Sequence, residues 1–182
     1  MYARHREKAA DLIAEGVPCY DSIRDCVKEA EAVITIVGYP ADVEEVYFGP
    51  AGILANVKPG TYVIDMTTSS PKLAEKIYAQ AKELGVHALD APVTGGDTGA
   101  REGTLSILAG GDRADFDECY PLFAAMGSNI NYQGTAGKGQ HTKMVNQIII
   151  AGTISGVCEA LSYACAKDLD LPTVLRSIGS GA

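Results

Sequence analysis

The stretch YVIDMTTSSP, residues 62–71, contains the step that decides the fold: an apolar run, a hydroxyl-rich loop and the start of a helix. Ser70 is a typical helix N-cap, Pro71 suits the first helical turn, and Gly85 ends the helical pattern that follows. A continuous apolar run that leads into a helix is typical of a strand covered on both faces. This stretch therefore predicts one strand–helix unit of a parallel sheet.

The same alternation continues on both sides of this stretch. We predict strands over 32–37, 62–65, 87–90, 104–109 and 129–132. We predict helices over 7–15, 71–84, 112–125 and 137–167, another helix that starts at Asp170, and no further element over 177–182. Short β-branched runs that alternate with helix-length segments indicate an α/β protein with a mostly parallel sheet.

The composition excludes several other classes of protein. With 47% hydrophobic and 21% charged residues among 182, the chain has enough apolar surface to bury a core, which argues against disorder. The formal net charge of -8 makes nucleic acid and anionic membranes poor partners. Five cysteines without a paired or metal-like spacing indicate reduced thiols, so we expect a cytoplasmic protein without a metal site.

The sequence predicts neither an export signal in its first residues nor a membrane-spanning helix in its long apolar segment. The first twelve residues carry charges and lack the apolar region of a secretory signal. Between Lys143 and Glu159 lie 15 uncharged residues, fewer than the ~20 that a membrane-spanning helix requires. Gly152 and Gly156 would allow a neighbouring helix to approach this segment closely. We therefore predict a long helix that is enclosed by other protein.

The loop after the second predicted strand is the first candidate for chemistry. Thr67 and Thr68 follow the strand, and ligands collect at the carboxyl ends of parallel strands. Plain capping of the next helix by Ser70 is the alternative, and the spacing leaves both interpretations open.

The segment DAPVTGG, residues 90–96, is the second candidate. Thr94, Gly95 and Gly96 would expose successive backbone N–H groups, and such an arrangement favours an anion such as a carboxylate. Ordinary turn chemistry in a glycine-rich segment is the alternative.

The segment GTAGKGQHTKMVNQ, residues 134–147, is the third candidate. On a helix, Lys143 and Asn146 project from one face because they are three residues apart. Apolar neighbours would remove water from the Lys143 ammonium and lower its pKa, which suits proton transfer near neutral pH. A lysine that extends to solvent beside a capping asparagine is the alternative. His141 is a rival acid–base group, but it lies off this face and we interpret it as structural.

In this order, the three segments resemble motifs of the β-hydroxyacid dehydrogenase family. Residues 65–71 are similar to its D-x-S-T-x-x-P loop, residues 90–96 to its D-A-P-V-S-G-G loop, and residues 137–146 to its G-x-G-x-x-x-K-x-x-N segment. The resemblance covers nearly the whole chain. It implies an incomplete Rossmann-like dinucleotide-binding domain over 1–133, then a long interdomain helix and the start of an all-α domain over 134–182.

The resemblance also implies an activity: NADP- or NAD-dependent interconversion of a small β-hydroxyacid and its semialdehyde by hydride transfer. Lys143 resembles the catalytic lysine, which exchanges a proton with the substrate hydroxyl or polarises the carbonyl. Asn146 and the backbone of Thr94, Gly95 and Gly96 are similar to groups that hold the substrate. The positions that resemble cofactor contacts are Val37, Gly38 and Thr68. A homo-oligomer is expected.

The chain departs from the family pattern at several points. Many members have Pro in place of Gly38 and Ser in place of Thr94, but neither change removes a group that the chemistry needs. The family's first strand and its G-x-G-x-x-G turn have no counterpart in this sequence. The segment 1–4 is similar to the second strand of the family, and Arg4 resembles a residue that binds the 2′-phosphate of NADP.

These departures lead to an expectation about the chain alone. The missing strand is central in the 3-2-1-4-5-6 order, so its absence leaves two ladder edges without partners. The C-terminal helical domain is also shorter than in the family. We expect the 182-residue chain alone to be inactive and to aggregate or form an oligomer. A late gene start, a partial sequence and an engineered boundary are all open explanations.

Two other functions stay open on the sequence. A 6-phosphogluconate-type sugar-acid dehydrogenase also carries a K-M-V run like that of residues 143–145. A non-catalytic Rossmann-like chain that folds by assembly is the second alternative. The sequence does not identify the hydroxyacid, because the pocket walls that select it lie partly outside these residues.

Overall fold

The computed structural model describes residues 1–179, so the last three residues of the 177–182 segment lie outside the described residues. The chain divides into two compact units, Met1–Lys143 and Met144–Ala182. The domain limits 1–133 and 134–182 stay a prediction.

A six-stranded sheet lies at the centre of the first unit. Its strands are β1 Ala32–Thr35, β2 Tyr62–Asp65, β3 His87–Asp90, β4 Val93–Thr94, β5 Leu105–Gly110 and β6 Gly127–Gly134. Neighbouring strands follow the order β1, β2, β3, β5, β4, and β6 pairs with β5. The β1–β2, β2–β3 and β5–β6 pairs are parallel, whereas β5 runs antiparallel to β3 and β4. The predicted α/β class with a parallel-rich sheet is confirmed.

Helices follow most of the strands, as the alternating pattern predicts. They are α1 Ala10–Ala14 after the 3-10 turn Arg6–Ala9, α2 Ile23–Val27, α3 Pro40–Phe48, α4 Pro71–Glu83, α5 Gly96–Glu102, α6 Arg113–Ala124, α7 Lys138–Ala166 and α8 Leu171–Ile178. The predicted end of α4 is confirmed, since Gly85 follows its C-cap at a φ of 69°. Ser70 occupies the N-cap position of α4, but its side chain makes no capping hydrogen bond.

The sheet is covered on both faces because alternate strand residues enter different cores. Val63 and Ala88 belong to a buried cluster that includes residues of α3 and α4. Their neighbours Ile64 and Leu89 belong to a second cluster that includes residues of α6 and β5. This arrangement explains why the strands form continuous apolar runs in the sequence.

The first strand and the N-terminal segment differ from the predictions. β1 ends at Thr35 rather than Val37, because the Val37 N–H donates to the Thr67 side chain instead of a neighbouring strand. The segment 1–4 forms no strand of the sheet. Tyr2 makes a single parallel bridge with Tyr20.

Many apolar residues of helix α7 are exposed in residues 1–179, so the prediction that other protein encloses this helix stays a prediction. Ile148, Ile149 and Ile154 are all more than half exposed. A side chain added at Gly152 or Gly156 would meet no atom within 4 Å, so no neighbouring helix uses these glycines here. By length and composition, α7 is long and apolar enough to cross a membrane, a property that core helices of soluble proteins share.

Candidate active site

Three parallel strands end at one edge of the sheet, and each ends with a buried polar residue. Thr35, Asp65 and Asp90 lie side by side in register at the carboxyl ends of β1, β2 and β3. Burial of two carboxyl groups without a cation in contact destabilises the fold, and hydrogen bonds to their oxygens offset part of this cost. These bonds connect the strand ends to the loops that follow.

Asp65 holds the ends of the first two strands together. Its Oδ1 accepts a hydrogen bond from Thr35 Oγ1 at 3.0 Å and another from the Thr67 N–H at 3.2 Å. The fully buried Tyr47 hydroxyl lies 3.1 Å from the same Thr35 oxygen. Burial raises the pKa of the Asp65 carboxyl, and the hydrogen bonds from Thr67 and Thr35 oppose that shift.

Thr67 and Thr68 have different environments, although the sequence predicts both as candidates. Thr67 is buried, and its Oγ1 accepts a hydrogen bond from the Val37 N–H at 3.0 Å. Thr68 is exposed at the edge of the sheet. On the neighbouring loop, Gly38 is also exposed and Val37 is half-buried. The buried hydroxyl of Ser69 has no partner among the described residues. Thr67 therefore fixes the spacing of the two loops, and Thr68 is the threonine that a ligand can reach.

Gly38 lies where a larger residue would crowd the loop. A Cβ at this position would come within 3.2 Å of the Asp42 carboxylate, which caps α3 by accepting from the Tyr39 N–H. The edge formed by Val37, Gly38 and Thr68 is thus open and lined by backbone and one hydroxyl. These features fit one flank of a nucleotide site at the carboxyl ends of parallel strands.

Arg4 already has acidic partners. Its guanidinium lies 3.0 Å from Asp42 and 3.4 Å from Glu45, while the Arg4 side chain is 56% exposed. The hydrogen bond and charge of Asp42, with the charge of Glu45, raise the pKa of the guanidinium. Exposed ion pairs of this kind contribute little to stability, so a phosphate could compete for Arg4.

The turn after β4 has the backbone that the sequence predicts. Gly95 and Gly96 have φ values of 131° and 66°, and both are exposed at the start of α5. Positive φ values favour glycine, and a turn of this kind can present successive N–H groups to an anion. The same geometry would serve an ordinary glycine turn, so both interpretations of Thr94–Gly96 remain.

Asp90 joins the end of β3 to the first turn of α7. Its two carboxylate oxygens accept from the Gly137 N–H at 2.7 Å and the Gln140 N–H at 2.8 Å. Burial raises the pKa of this carboxyl to about 6, although the two backbone bonds oppose the shift. A Cβ at Gly139 would overlap the Leu108 carbonyl, so only glycine lets the helix approach this closely.

Gln140 is a site residue that the sequence analysis missed. It is fully buried, its Oε1 accepts from the Ser69 N–H at 2.8 Å, and its Nε2 donates to the Thr67 carbonyl at 2.7 Å. The first turn of α7 is thereby attached to the loop after β2. A large amide directly after Gly137 and Gly139 is the available signal, but the pattern alone does not show its partners.

Lys143 lies one turn farther along the helix, and it is only 7% exposed. Its Nζ donates to the Val93 carbonyl at 2.7 Å, directly before Thr94. Burial lowers the pKa of this ammonium, as the apolar neighbours predicted. The structure therefore brings Lys143 to the Thr94–Gly96 turn.

Two other predicted residues of this segment have separate surroundings. Asn146 belongs to the second unit, where its side-chain amide donates to Gln147 Oε1 at 2.9 Å. His141 is exposed, and its backbone N–H donates to the Gly137 carbonyl within the first turns of the helix. The exposure of His141 agrees with its exclusion from the predicted catalytic face.

Comparison with known proteins identifies the two parts of the chain. A family model described as the NAD binding domain of 6-phosphogluconate dehydrogenase matches residues 1–134. A second model, described as NAD-binding of NADP-dependent 3-hydroxyisobutyrate dehydrogenase, matches residues 137–182. Both descriptions name a nicotinamide cofactor, as the three sequence motifs implied.

Individual relatives cover the whole chain. An uncharacterized oxidoreductase of Bacillus subtilis is 54% identical over 182 residues, which are 100% of this chain and 63% of the relative. The 2-hydroxy-3-oxopropionate reductase of Escherichia coli is 39% identical over 95% of this chain and 59% of its own length. The chain thus spans about three fifths of the length of these relatives.

A solved structure agrees with the sequence relatives. The 3-hydroxyisobutyrate dehydrogenase of Mycobacterium tuberculosis, solved with L-serine, matches with a TM-score of 0.87 and 30% identity. The match covers 100% of this chain and 61% of that protein. With the matched motifs and the buried lysine at the glycine turn, these findings show that the chain belongs to the β-hydroxyacid dehydrogenase family.

Proposed function

We propose that the whole protein is an NAD(P)-dependent oxidoreductase that interconverts a small β-hydroxyacid and its semialdehyde by hydride transfer. The buried ammonium of Lys143 carries this proposal, because its Nζ lies 2.7 Å from the carbonyl that precedes the Thr94–Gly96 turn. A group that can exchange a proton therefore lies beside backbone that suits a carboxylate. A β-hydroxyacid carries both a hydroxyl and a carboxylate.

Each predicted residue has one role in this proposal. Lys143 exchanges a proton with the substrate hydroxyl, and its lowered pKa brings proton release closer to neutral pH. The backbone N–H groups of Thr94, Gly95 and Gly96 hold the carboxylate, and the Asn146 amide donates a hydrogen bond to the substrate. When bound, the nicotinamide accepts or donates the hydride.

The exposed edge formed by Val37, Gly38 and Thr68 supports a cofactor contact on the other side. Thr67, which is buried and bonded to the Val37 N–H, keeps that edge in place. Between the two cofactors we favour NADP, because Arg4 lies on the same unit as this edge and an arginine can bind a phosphate through paired hydrogen bonds.

The substitution Arg4→Asp tests the cofactor preference. We expect the ratio of kcat/KM for NADP to kcat/KM for NAD to fall by about 10- to 100-fold, since a charge-assisted phosphate contact is replaced by repulsion. Steady-state kinetics with both cofactors, in a version of the protein as long as its relatives, provides the measurement. Arg113→Asp, another exposed arginine paired with an aspartate, is the matched control. A wild-type protein that prefers NAD would contradict the role of Arg4.

The activity itself is tested with the same full-length version. Reduction of NADP or NAD is followed by absorbance with 3-hydroxyisobutyrate, L-serine and 6-phosphogluconate as substrates. Turnover of a short hydroxyacid supports the proposal. Turnover of 6-phosphogluconate alone would favour the sugar-acid alternative, and cofactor binding without turnover would favour a non-catalytic role.

We also propose a homo-oligomer and a cytoplasmic location. The exposed isoleucines of α7 support association, since several large apolar side chains exposed on one helix are usually covered in solution. All five cysteines are unpaired within residues 1–179, as in a reducing compartment. Light scattering on the purified protein measures the assembly.

A further inference from the structure

Gln140 takes no part in the mechanism proposed above, yet its side-chain amide is buried and hydrogen-bonded. The side chain is completely buried, and both ends of its amide are bonded to backbone groups of one loop. The oxygen accepts from Ser69 and the nitrogen donates to Thr67. A buried amide with both ends satisfied holds two segments at a fixed spacing, since loss of one partner leaves the other unpaired.

The two segments carry different parts of the candidate site. The Thr67 hydroxyl accepts a hydrogen bond from the Val37 N–H. The loop that is bonded to Gln140 is therefore part of the cofactor edge. Gln140 is three residues before Lys143, and its own N–H is bonded to Asp90. One side chain therefore connects the cofactor edge to the helix turn that carries the lysine.

We propose that Gln140 is a positioning residue: its side-chain amide fixes the Lys143 turn of α7 against the Thr67–Ser69 loop, and thereby sets the distance between the proton-transfer group and the cofactor edge. This inference rests on the proposed function. The amide itself touches neither reacting group. It acts through the placement of Lys143, whose contact with the Val93 carbonyl depends on where the helix begins.

The substitution Gln140→Leu removes both hydrogen bonds and retains most of the volume. We expect kcat to fall by about 10- to 100-fold, the scale of a displacement of about 1 Å in a catalytic group. The KM for the hydroxyacid should change by less than about threefold, because the Thr94–Gly96 turn is untouched. The Lys143 limb of the kcat/KM pH profile should move to higher pH, because a displaced lysine regains water.

The substitution Gln140→Glu provides a conservative rescue. A protonated carboxyl can accept from the Ser69 N–H and donate to the Thr67 carbonyl, as the amide does. We expect this variant to approach the turnover of the wild type measured at the same low pH. Relative to the wild type, it should lose activity as the pH rises and the new carboxyl ionises. A residue that only stabilises the fold would not produce this additional titration.

Thr142→Val is the matched control, since Thr142 lies in the same turn but bonds only to Gln133 and the Lys138 carbonyl. This control should leave the pH limb in place, even if it lowers thermal stability. Unchanged kcat and an unchanged pH limb in Gln140→Leu would overturn the inference. Loss of kcat with a fixed limb, and no titration in Gln140→Glu, would reduce Gln140 to a structural role and overturn it equally.

Hydrogen exchange separates failure of this inference from failure of the proposed function. We expect the Ser69 amide to exchange at least about ten times faster in Gln140→Leu than in the wild type, with no change in Thr142→Val. A wild type that turns over no hydroxyacid contradicts the proposed function, and protection of Ser69 then still supports the connection made by Gln140. An unprotected Ser69 amide in the wild type would overturn that connection.

Discussion

Lys143→Ala is expected to lower turnover by about 10² to 10⁴, the range that a positioned acid–base group contributes. The ammonium is buried, donates to the Val93 carbonyl, and has a pKa lowered by that burial. In the proposed mechanism, its removal takes away the proton-transfer group at the Thr94–Gly96 turn and leaves the Val37 and Thr68 edge intact. Cofactor affinity should therefore change little.

The measurement is kcat with a saturating hydroxyacid, together with the Kd of the cofactor, in a version as long as the relatives. Lys138→Ala serves as the control, because Lys138 is exposed at the start of the same helix. Turnover within about twofold of the wild type would exclude Lys143 from the mechanism. Weaker cofactor binding of the same size as the loss in kcat would assign the lysine to the cofactor instead.

Much of the fold follows from local patterns in the sequence. The runs that become β2 and β3 have the predicted limits, because each strand is buried on both faces and bounded by turn residues. β4 was missed because it has two residues, Val93 and Thr94, too few for any periodicity. The exposure of α7 could not be predicted, since an apolar helix has the same sequence whether its cover is in this chain or elsewhere.

The site was predictable where residue type alone implies chemistry. Lys143 donates to the Val93 carbonyl beside Thr94, a proximity that follows from the family resemblance rather than from spacing, whereas the separate environments of Thr67 and Thr68 depend on which hydroxyl is buried. Gln140 was not predicted, because its function depends on two backbone partners more than seventy residues away along the chain. Long-range hydrogen bonds of this kind have no periodic signature in the sequence.

Asp90 makes a second strong prediction, which concerns stability. In the folded chain its pKa is about 6, compared with an ordinary value of 3.8 for aspartate. Folding therefore disfavours the ionised form. As the pH rises from about 4 to about 6, the unfolded chain releases this proton first, and the folded state is progressively destabilised. A shift of this size corresponds to about 3 kcal/mol of stability that is present at low pH and lost at neutral pH.

Asp90→Asn should remove this pH dependence, because the amide cannot ionise. Its oxygen can accept from only one of the Gly137 and Gln140 N–H groups, so the variant starts with a constant penalty. The unfolding free energy of this variant minus that of the wild type should nevertheless rise by up to about 3 kcal/mol between pH 4 and pH 7 in urea titrations.

The sign of this change is the decisive part of the test. Asp25 has its pKa lowered, mainly by a hydrogen bond from Lys28, so the stability difference for Asp25→Asn should fall as the pH rises, with most of the change below about pH 4. A flat difference for Asp90→Asn would mean that the two backbone bonds fully offset the burial of the carboxylate. A difference that falls with pH would mean that the start of α7 is stabilised by the charge, in which case the first turn would tighten rather than loosen as Asp90 ionises. The expected rise in the stability difference would instead show that the ionised Asp90 carboxylate destabilises the fold at neutral pH. Its role is then positional, since its hydrogen bonds fix the helix turn that precedes Lys143.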